Sequence, residues 1–133
     1  MNGHNYRKFR LSDKFISQYE DKEVPWGPVG YITYKRTYSR LLSERDSTAV
    51  GTEEWFQTCR RVIEGMFDMQ KRHVSELGLE WIDSKSQKTA KEAYDRLFEL
   101  KWTPPGRGLW MMGTKFVEER TAAGLFNCAF RST

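Results

Sequence analysis

Apolar residues fall at helical spacing along most of this chain and gather into short continuous runs only near its end. In LSDKFISQYE, from Leu11 to Glu20, Phe15, Ile16 and Tyr19 share one face and charges occupy the other, which predicts a short helix capped by Ser12. That helix ends before Pro25, because proline disfavours helical geometry in the residue ahead of it. Residues 1–10 read as frayed, with Tyr6 and Phe9 the only anchors. A Pro-Trp-Gly-Pro turn then opens a second helix with Tyr31, Tyr34, Tyr38, Leu41 and Leu42 on one side and Lys35, Arg36, Ser39 and Arg40 on the other. Ser43 to Gly51 is polar and reads as a loop.

The longest periodic segment is Thr52 to Val74. Thr52 is its expected N-cap, Glu53 and Glu54 suit the positive end of the helix dipole, and Trp55, Cys59, Val62, Ile63 and Met66 form an apolar stripe. A loop anchored by Leu77, Leu79, Trp81 and Ile82 leads to a fourth helix over about Lys88 to Leu100, with Ala90, Ala93, Tyr94, Leu97 and Phe98 inward. The Thr103-Pro104-Pro105-Gly106 turn is expected to stop it. Two short apolar runs follow, Gly108–Gly113 and Leu125–Phe130, separated by a polar helix that Thr114 opens: a strand, helix, strand pattern. The predicted fold is therefore mostly α, a helical region over residues 1–102 followed by a strand-helix-strand unit over 103–133.

Composition narrows the function. With 133 residues, 38% apolar and 30% charged, the chain is one modest domain with no apolar stretch long enough to span a membrane. The N-terminus lacks the apolar core of a secretory signal, so a cytoplasmic location is the default expectation. The net charge of +4 is spread along the chain and not gathered in a tail. Cys59, Cys128 and His73 have no partners at ligand spacing, so neither a zinc site nor a disulfide scaffold is expected. Cys59 lies on a packing face, where a thiol acts as a small hydrophobe, and His73 reads as a helix-end cation. Gly106-Arg107-Gly108 fits a turn or, as a lesser reading, a phosphate contact, with Arg107 and Lys115 equally suited to solvent. Aromatics interleaved with bases at Tyr31–Arg40 suggest a second function class, a small helical nucleic-acid- or protein-binding module, although their sorting onto separate faces favours packing.

Four blocks carry more information: WGPVGYITYKRTYSRLL at Trp26–Leu42, TCRRVIEG at Thr58–Gly65, TPPGRGLWMMGT at Thr103–Thr114 and LFNCAF at Leu125–Phe130. In order and spacing they resemble the adenosylcobalamin-dependent (class II) ribonucleoside-triphosphate reductases, and the likeness runs from about Phe15 onward. It implies the N-terminal end of such an enzyme, a helical region leading into the first strands of a ten-stranded α/β barrel. It also implies that Cys128, in Asn127-Cys128-Ala129-Phe130, is one of two reducing thiols. Strand alternation places Phe126, Cys128 and Phe130 on one side, and desolvation there keeps the thiol protonated.

The family's reaction implies the remaining parts. Cobalt–carbon homolysis in adenosylcobalamin generates a thiyl radical on another cysteine, which takes hydrogen from the 3′ carbon of a ribonucleoside triphosphate. The 2′ hydroxyl leaves as water, the thiol pair becomes a disulfide, and thioredoxin restores it. The radical cysteine, the second reducing cysteine, the cobalamin surface and the C-terminal cysteine pair have no counterpart among these residues, and Cys59 does not replace them. The resemblance thus implies one piece of a reductase, inactive alone, whose cofactor is bound by the missing part. Its implied partners are the rest of the reductase, the nucleotide substrate and thioredoxin, with neither membrane nor direct nucleic-acid binding. Two lone strands would leave edges open to self-association.

Overall fold

The computed structural model describes residues 6–44, 47–104 and 106–114, with side chains left aside at 28 and 106–108. Among the described residues the fold is helical: α1 (Asp13–Ser17), α2 (Pro28–Thr37), α3 (Trp55–Glu76), α4 (Asp83–Phe98) and α5 (Gly106–Met111). A 3₁₀ turn at Leu42–Glu44 and one antiparallel bridge between Leu41 and Thr52 complete it.

The axis of the fold is α3. Trp55, Cys59, Val62, Ile63 and Phe67 recur at intervals of four, three, one and four, which sets them on one face against Ala90, Tyr94, Leu97 and Phe98 of α4. Polar atoms brought into this core find partners: the Trp55 indole donates to the Phe98 carbonyl at 3.1 Å, and the Tyr94 hydroxyl to the Phe56 carbonyl at 2.9 Å. Ser12 caps α1, accepting from the Phe15 amide at 3.2 Å, as the sequence predicts. Ile16 and Tyr19 then close over α4, with the Tyr19 hydroxyl donating to Asp95 at 2.7 Å.

Several boundaries differ from expectation, each for a local reason. The N-cap of α3 is Glu54, whose amide donates to the Gln57 side chain at 2.8 Å, while Thr52 is drawn into the bridge with Leu41. Glu53, just ahead of that cap, is buried. The second helix stops at Thr37, because the Ser39 hydroxyl and the Arg40 amide turn aside to Glu53, and Leu41 is left exposed. The fourth helix ends at Phe98, ahead of the proline turn, where Leu100 takes a left-handed conformation (φ 61°) and Lys101 reaches back to the Arg96 carbonyl. Leu77, Leu79 and Ile82 are exposed, and of the four expected anchors Trp81 packs, edge-on to Phe9.

Both ends of the described chain close onto α3. From Tyr6 onward the N-terminal segment is not frayed: Asp68 accepts from the Tyr6 hydroxyl at 2.6 Å and the Phe9 amide at 2.9 Å, and Glu64 accepts from the Leu11 amide at 2.8 Å. Phe9 and Leu11 are thereby sealed into the core. At the other end, the predicted strand over Gly108–Gly113 is instead the helix α5 followed by a turn at Gly113 (φ 80°). A run of a few apolar residues carries too little periodicity to separate the two states. Here the run's carbonyls find a guanidinium, not a neighbouring strand. The second predicted strand, Leu125–Phe130, lies outside the described residues.

Candidate functional site

The arrangement best fitted to a role beyond packing is a buried polar hub where α2, α3 and α5 meet. Its centre is Arg61, 2% exposed, paired with Glu53, 3% exposed. Arg61 Nε donates to Glu53 Oε2 at 2.9 Å and Nη2 to Glu53 Oε1 at 3.1 Å. The remaining donors reach the backbone of α5 and its exit: Nη2 to the Leu109 carbonyl at 2.8 Å, Nη1 to Trp110 at 3.1 Å and to Met112 at 2.7 Å. A guanidinium has five N–H donors in a planar fork, and all are used. This permits burial of a charge that would otherwise be costly.

Glu53 is satisfied as fully. Its carboxylate also accepts from the Thr58 hydroxyl at 2.9 Å and the Arg40 amide at 3.1 Å, and its own carbonyl accepts from Lys35 at 2.8 Å and Ser39 at 2.7 Å. Tyr34 adds a close hydroxyl contact to Thr58 and another to the Glu53 carbonyl, so two hydroxyl protons serve three contacts. Desolvation pushes the Tyr34 phenol well up, which keeps its proton in place.

Steric fit reinforces the clamp. A Cβ on Gly65 would lie 2.5 Å from the Gly113 amide nitrogen, and one on Gly113 would strike the Arg61 carbonyl. Glycine at both positions lets the α5 exit pass directly over α3, and Gly113 also supplies the positive φ. The segment TCRRVIEG is therefore a junction. Cys59, Val62 and Ile63 face α4, Arg61 holds the α5 exit, and Arg60 and Glu64 pin the N-terminal segment, with Arg60 donating to the Leu11 carbonyl at 3.1 Å and to Asp13 at 2.7 Å.

The residues singled out from the sequence fare differently. Cys128 and Lys115 lie outside the described residues, as does the helix expected to follow Thr114. The Thr114 hydroxyl donates back to the Met111 carbonyl at 2.7 Å. Cys59 is fully buried in the core, and burial pushes its thiol well up, which suits the packing role read from the sequence. Gly106 to Gly108 form the first turn of α5. His73 sits in the last turn of α3, and among the described residues no cluster of histidine, cysteine or carboxylate suits a metal. Of the basic face on the second helix, Lys35 is engaged with Glu53 and Glu54 and Arg40 with Glu44, which removes two cations from any phosphate-tracking surface. Sequence reasoning missed Arg61. Its signal is the spacing Thr58, Arg61, Gly65, a polar-and-small stripe beside the apolar one.

Comparison with known proteins gives one consistent answer. A family described as the ribonucleotide reductase alpha domain matches residues 11–114. A Dictyostelium discoideum protein named as a probable adenosylcobalamin-dependent ribonucleoside-triphosphate reductase is 42% identical over 130 residues, covering 96% of this chain and 16% of its own length. The Euglena gracilis adenosylcobalamin-dependent ribonucleoside-triphosphate reductase is 37% identical over 130 residues, 95% of this chain and 17% of that protein. In three dimensions the chain is similar to a crystal structure of B-12 dependent (class II) ribonucleotide reductase, with a TM-score of 0.74 and 31% identity over 90% of this chain and 16% of that one. The chain thus spans about one sixth of the length of these relatives.

Proposed function

Because the chain belongs to the ribonucleotide reductase alpha domain family, we propose that it forms the N-terminal portion of an adenosylcobalamin-dependent ribonucleoside-triphosphate reductase and presents Cys128 to the reaction. The observation that carries this reading is a convergence. Three of the four blocks that resemble these reductases, Trp26–Leu42, Thr58–Gly65 and Thr103–Thr114, meet at the Glu53–Arg61 pair through Tyr34, Thr58 and the carbonyls of Leu109, Trp110 and Met112. The fourth block, Leu125–Phe130, holds Cys128 and lies beyond residues 115–124. In this reading residues 1–102 are the helical support, 103–114 the fixed approach, and Leu125–Phe130 a strand of the α/β barrel.

The chemistry assigned to Cys128 balances with one further thiol. Two thiols become a disulfide and give up two electrons and two protons; the ribose 2′ hydroxyl leaves as water, and a deoxyribonucleoside triphosphate results. Thioredoxin then restores the pair by thiol–disulfide exchange. Adenosylcobalamin, when bound, supplies the radical that starts the reaction. The groove between Trp26, Tyr31, Trp55 and Phe98, of about 350 Å³, does not fit that group: it is open and at the small end of ligand pockets. In this reading the cofactor is held by reductase sequence beyond these residues.

The test is a chimera in which residues 1–133 replace the matched segment of the Euglena reductase, assayed with adenosylcobalamin, a ribonucleoside triphosphate and a dithiol. Deoxynucleotide formation is expected, and Cys128→Ser should abolish multiple turnover, since a hydroxyl forms no disulfide. Cys59→Ala should leave turnover near that of the parent chimera. Undiminished turnover in Cys128→Ser, or equal loss in both variants with folding intact, would remove Cys128 from this role.

A further inference from the structure

The groove lined by Trp26, Tyr31, Trp55 and Phe98 lies where the ends of several helices meet: Tyr19 and Glu20 follow α1, Trp26 precedes α2, Glu54 caps α3 and Phe98 closes α4. Its lining is aromatic. The Trp26 ring is 4.9 Å from that of Trp55, tilted by 56°, and 6.2 Å from that of Tyr31, edge to face at 68°. Both tyrosines on the lining give their hydroxyl protons to carboxylates, Tyr19 to Asp95 at 2.7 Å and Tyr31 to Glu54 at 3.2 Å. A phenol that donates to a carboxylate has an electron-rich ring, and the face of such a ring attracts cations.

The charges point the same way. Lys22 lies 4.7 Å over the Tyr19 ring and 3.8 Å from Glu99, and Lys35 meets Glu54 at 2.9 Å, so the chain's own nearby ammonium groups are engaged. Glu20, also on the lining, makes no ion pair or hydrogen bond among the described residues. An anionic ligand would meet Glu20 and Glu54, and the positive end of α3 that could draw one is answered by the Glu54 cap. We propose that this groove binds a small organic cation, a free alkylammonium ion whose alkyl groups stack on Trp26 and Tyr31 while Glu20 supplies the countercharge. A volume of about 350 Å³, small for a large cofactor, suits a ligand of that size. No lining residue belongs to the Glu53–Arg61 hub, so the site neither needs the role of Cys128 nor supports it.

Titration of the isotope-labelled 133-residue chain with choline chloride, at constant total chloride, tests the site through the indole N–H signals in NMR spectra. The Trp26 and Trp55 signals should shift and saturate. Those of Trp81 against Phe9, Trp102 on the Ala93 carbonyl and Trp110 under Arg40 should stay in place. Tyr31→Leu and Glu20→Gln, both at exposed positions, should each weaken binding about two- to fivefold with the thermal melt unchanged. Dimethylbutanol, the neutral carbon isostere of choline, should bind at least about tenfold more weakly. A shift that never saturates, equal binding of the isostere, or undiminished affinity in both variants would overturn the proposal. A lysine dipeptide binding at least about tenfold more tightly than choline would also overturn it, by showing the occupant to be a protein side chain and not a free ion.

Discussion

Replacing Arg61 with methionine would take the cation out of the hub while nearly preserving its volume. Glu53, 3% exposed, would then be a buried carboxylate without its partner, and the carbonyls of Leu109, Trp110 and Met112 would lose charged donors at 2.7 to 3.1 Å. Breaking a buried pair from one side costs about 3–5 kcal/mol, and a methionine's added apolar contact recovers only part of it. Against a total stability of about 5–15 kcal/mol, such a loss is easily measured in a urea melt followed by circular dichroism, with the slope unchanged. Hydrogen exchange should locate the damage at residues 109–114. Adding Glu53→Gln should recover stability, because no buried ion then remains; the double-mutant cycle should show a coupling of about 2 kcal/mol. A loss under about 1 kcal/mol for Arg61→Met, or effects that add to within about 0.5 kcal/mol, would refute the claim that this pair holds the α5 exit in place.

Gly65→Ala should destabilise the chain by about 1–3 kcal/mol, since its methyl would meet Gly113 backbone atoms at 2.5 and 2.7 Å; a thermal melt unchanged from the parent would contradict the close crossing. Cys59→Ala should cost about 1–2 kcal/mol, and the native thiol should react with a disulfide reagent only as fast as the chain opens. Burial by itself raises the Asp68 pKa, but hydrogen bonds from Tyr6, Arg72 and the Phe9 amide outweigh it and hold the carboxyl below its ordinary 3.8. A lowered folded-state pKa gives stability that is full above the unfolded value and is lost as pH falls through the folded one. The melting temperature should therefore drop below about pH 4, and Asp68→Asn should lower it at neutral pH while flattening that acid limb.

What could be read from the sequence was what is decided locally or by period. The Ser12 cap and the Trp55, Cys59, Val62, Ile63 stripe needed only their neighbours and the helical repeat. Arg61 was not legible in the same way, because Arg60 and Arg61 are adjacent and composition does not tell which points inward; their acceptors come from distant segments. The same limit turned a predicted strand at Gly108–Gly113 into α5, and a predicted frayed end into a segment fixed by Asp68 and Glu64. The role proposed for Cys128 rests on resemblance alone, since a short apolar run carrying one thiol has no chemistry of its own to announce.

The hub's long reach bears on how the nascent chain acquires its structure. The carbonyls that Arg61 binds lie 48, 49 and 51 residues after it, so they are synthesised last among the parts it needs. Closing a loop of that length costs about 3.5 kcal/mol plus a constant, which the three hydrogen bonds from Arg61 to those carbonyls must help to offset. Until residue 112 has left the ribosome, Arg61 has Glu53 and water for company, and α3 can mature only against the segments that precede it and α4. Completion of the core is thus tied to arrival of the peptide that leads toward Cys128, and a product stalled near residue 100 would hold Arg61 against Glu53 alone, with its bonds to Leu109, Trp110 and Met112 still unmade.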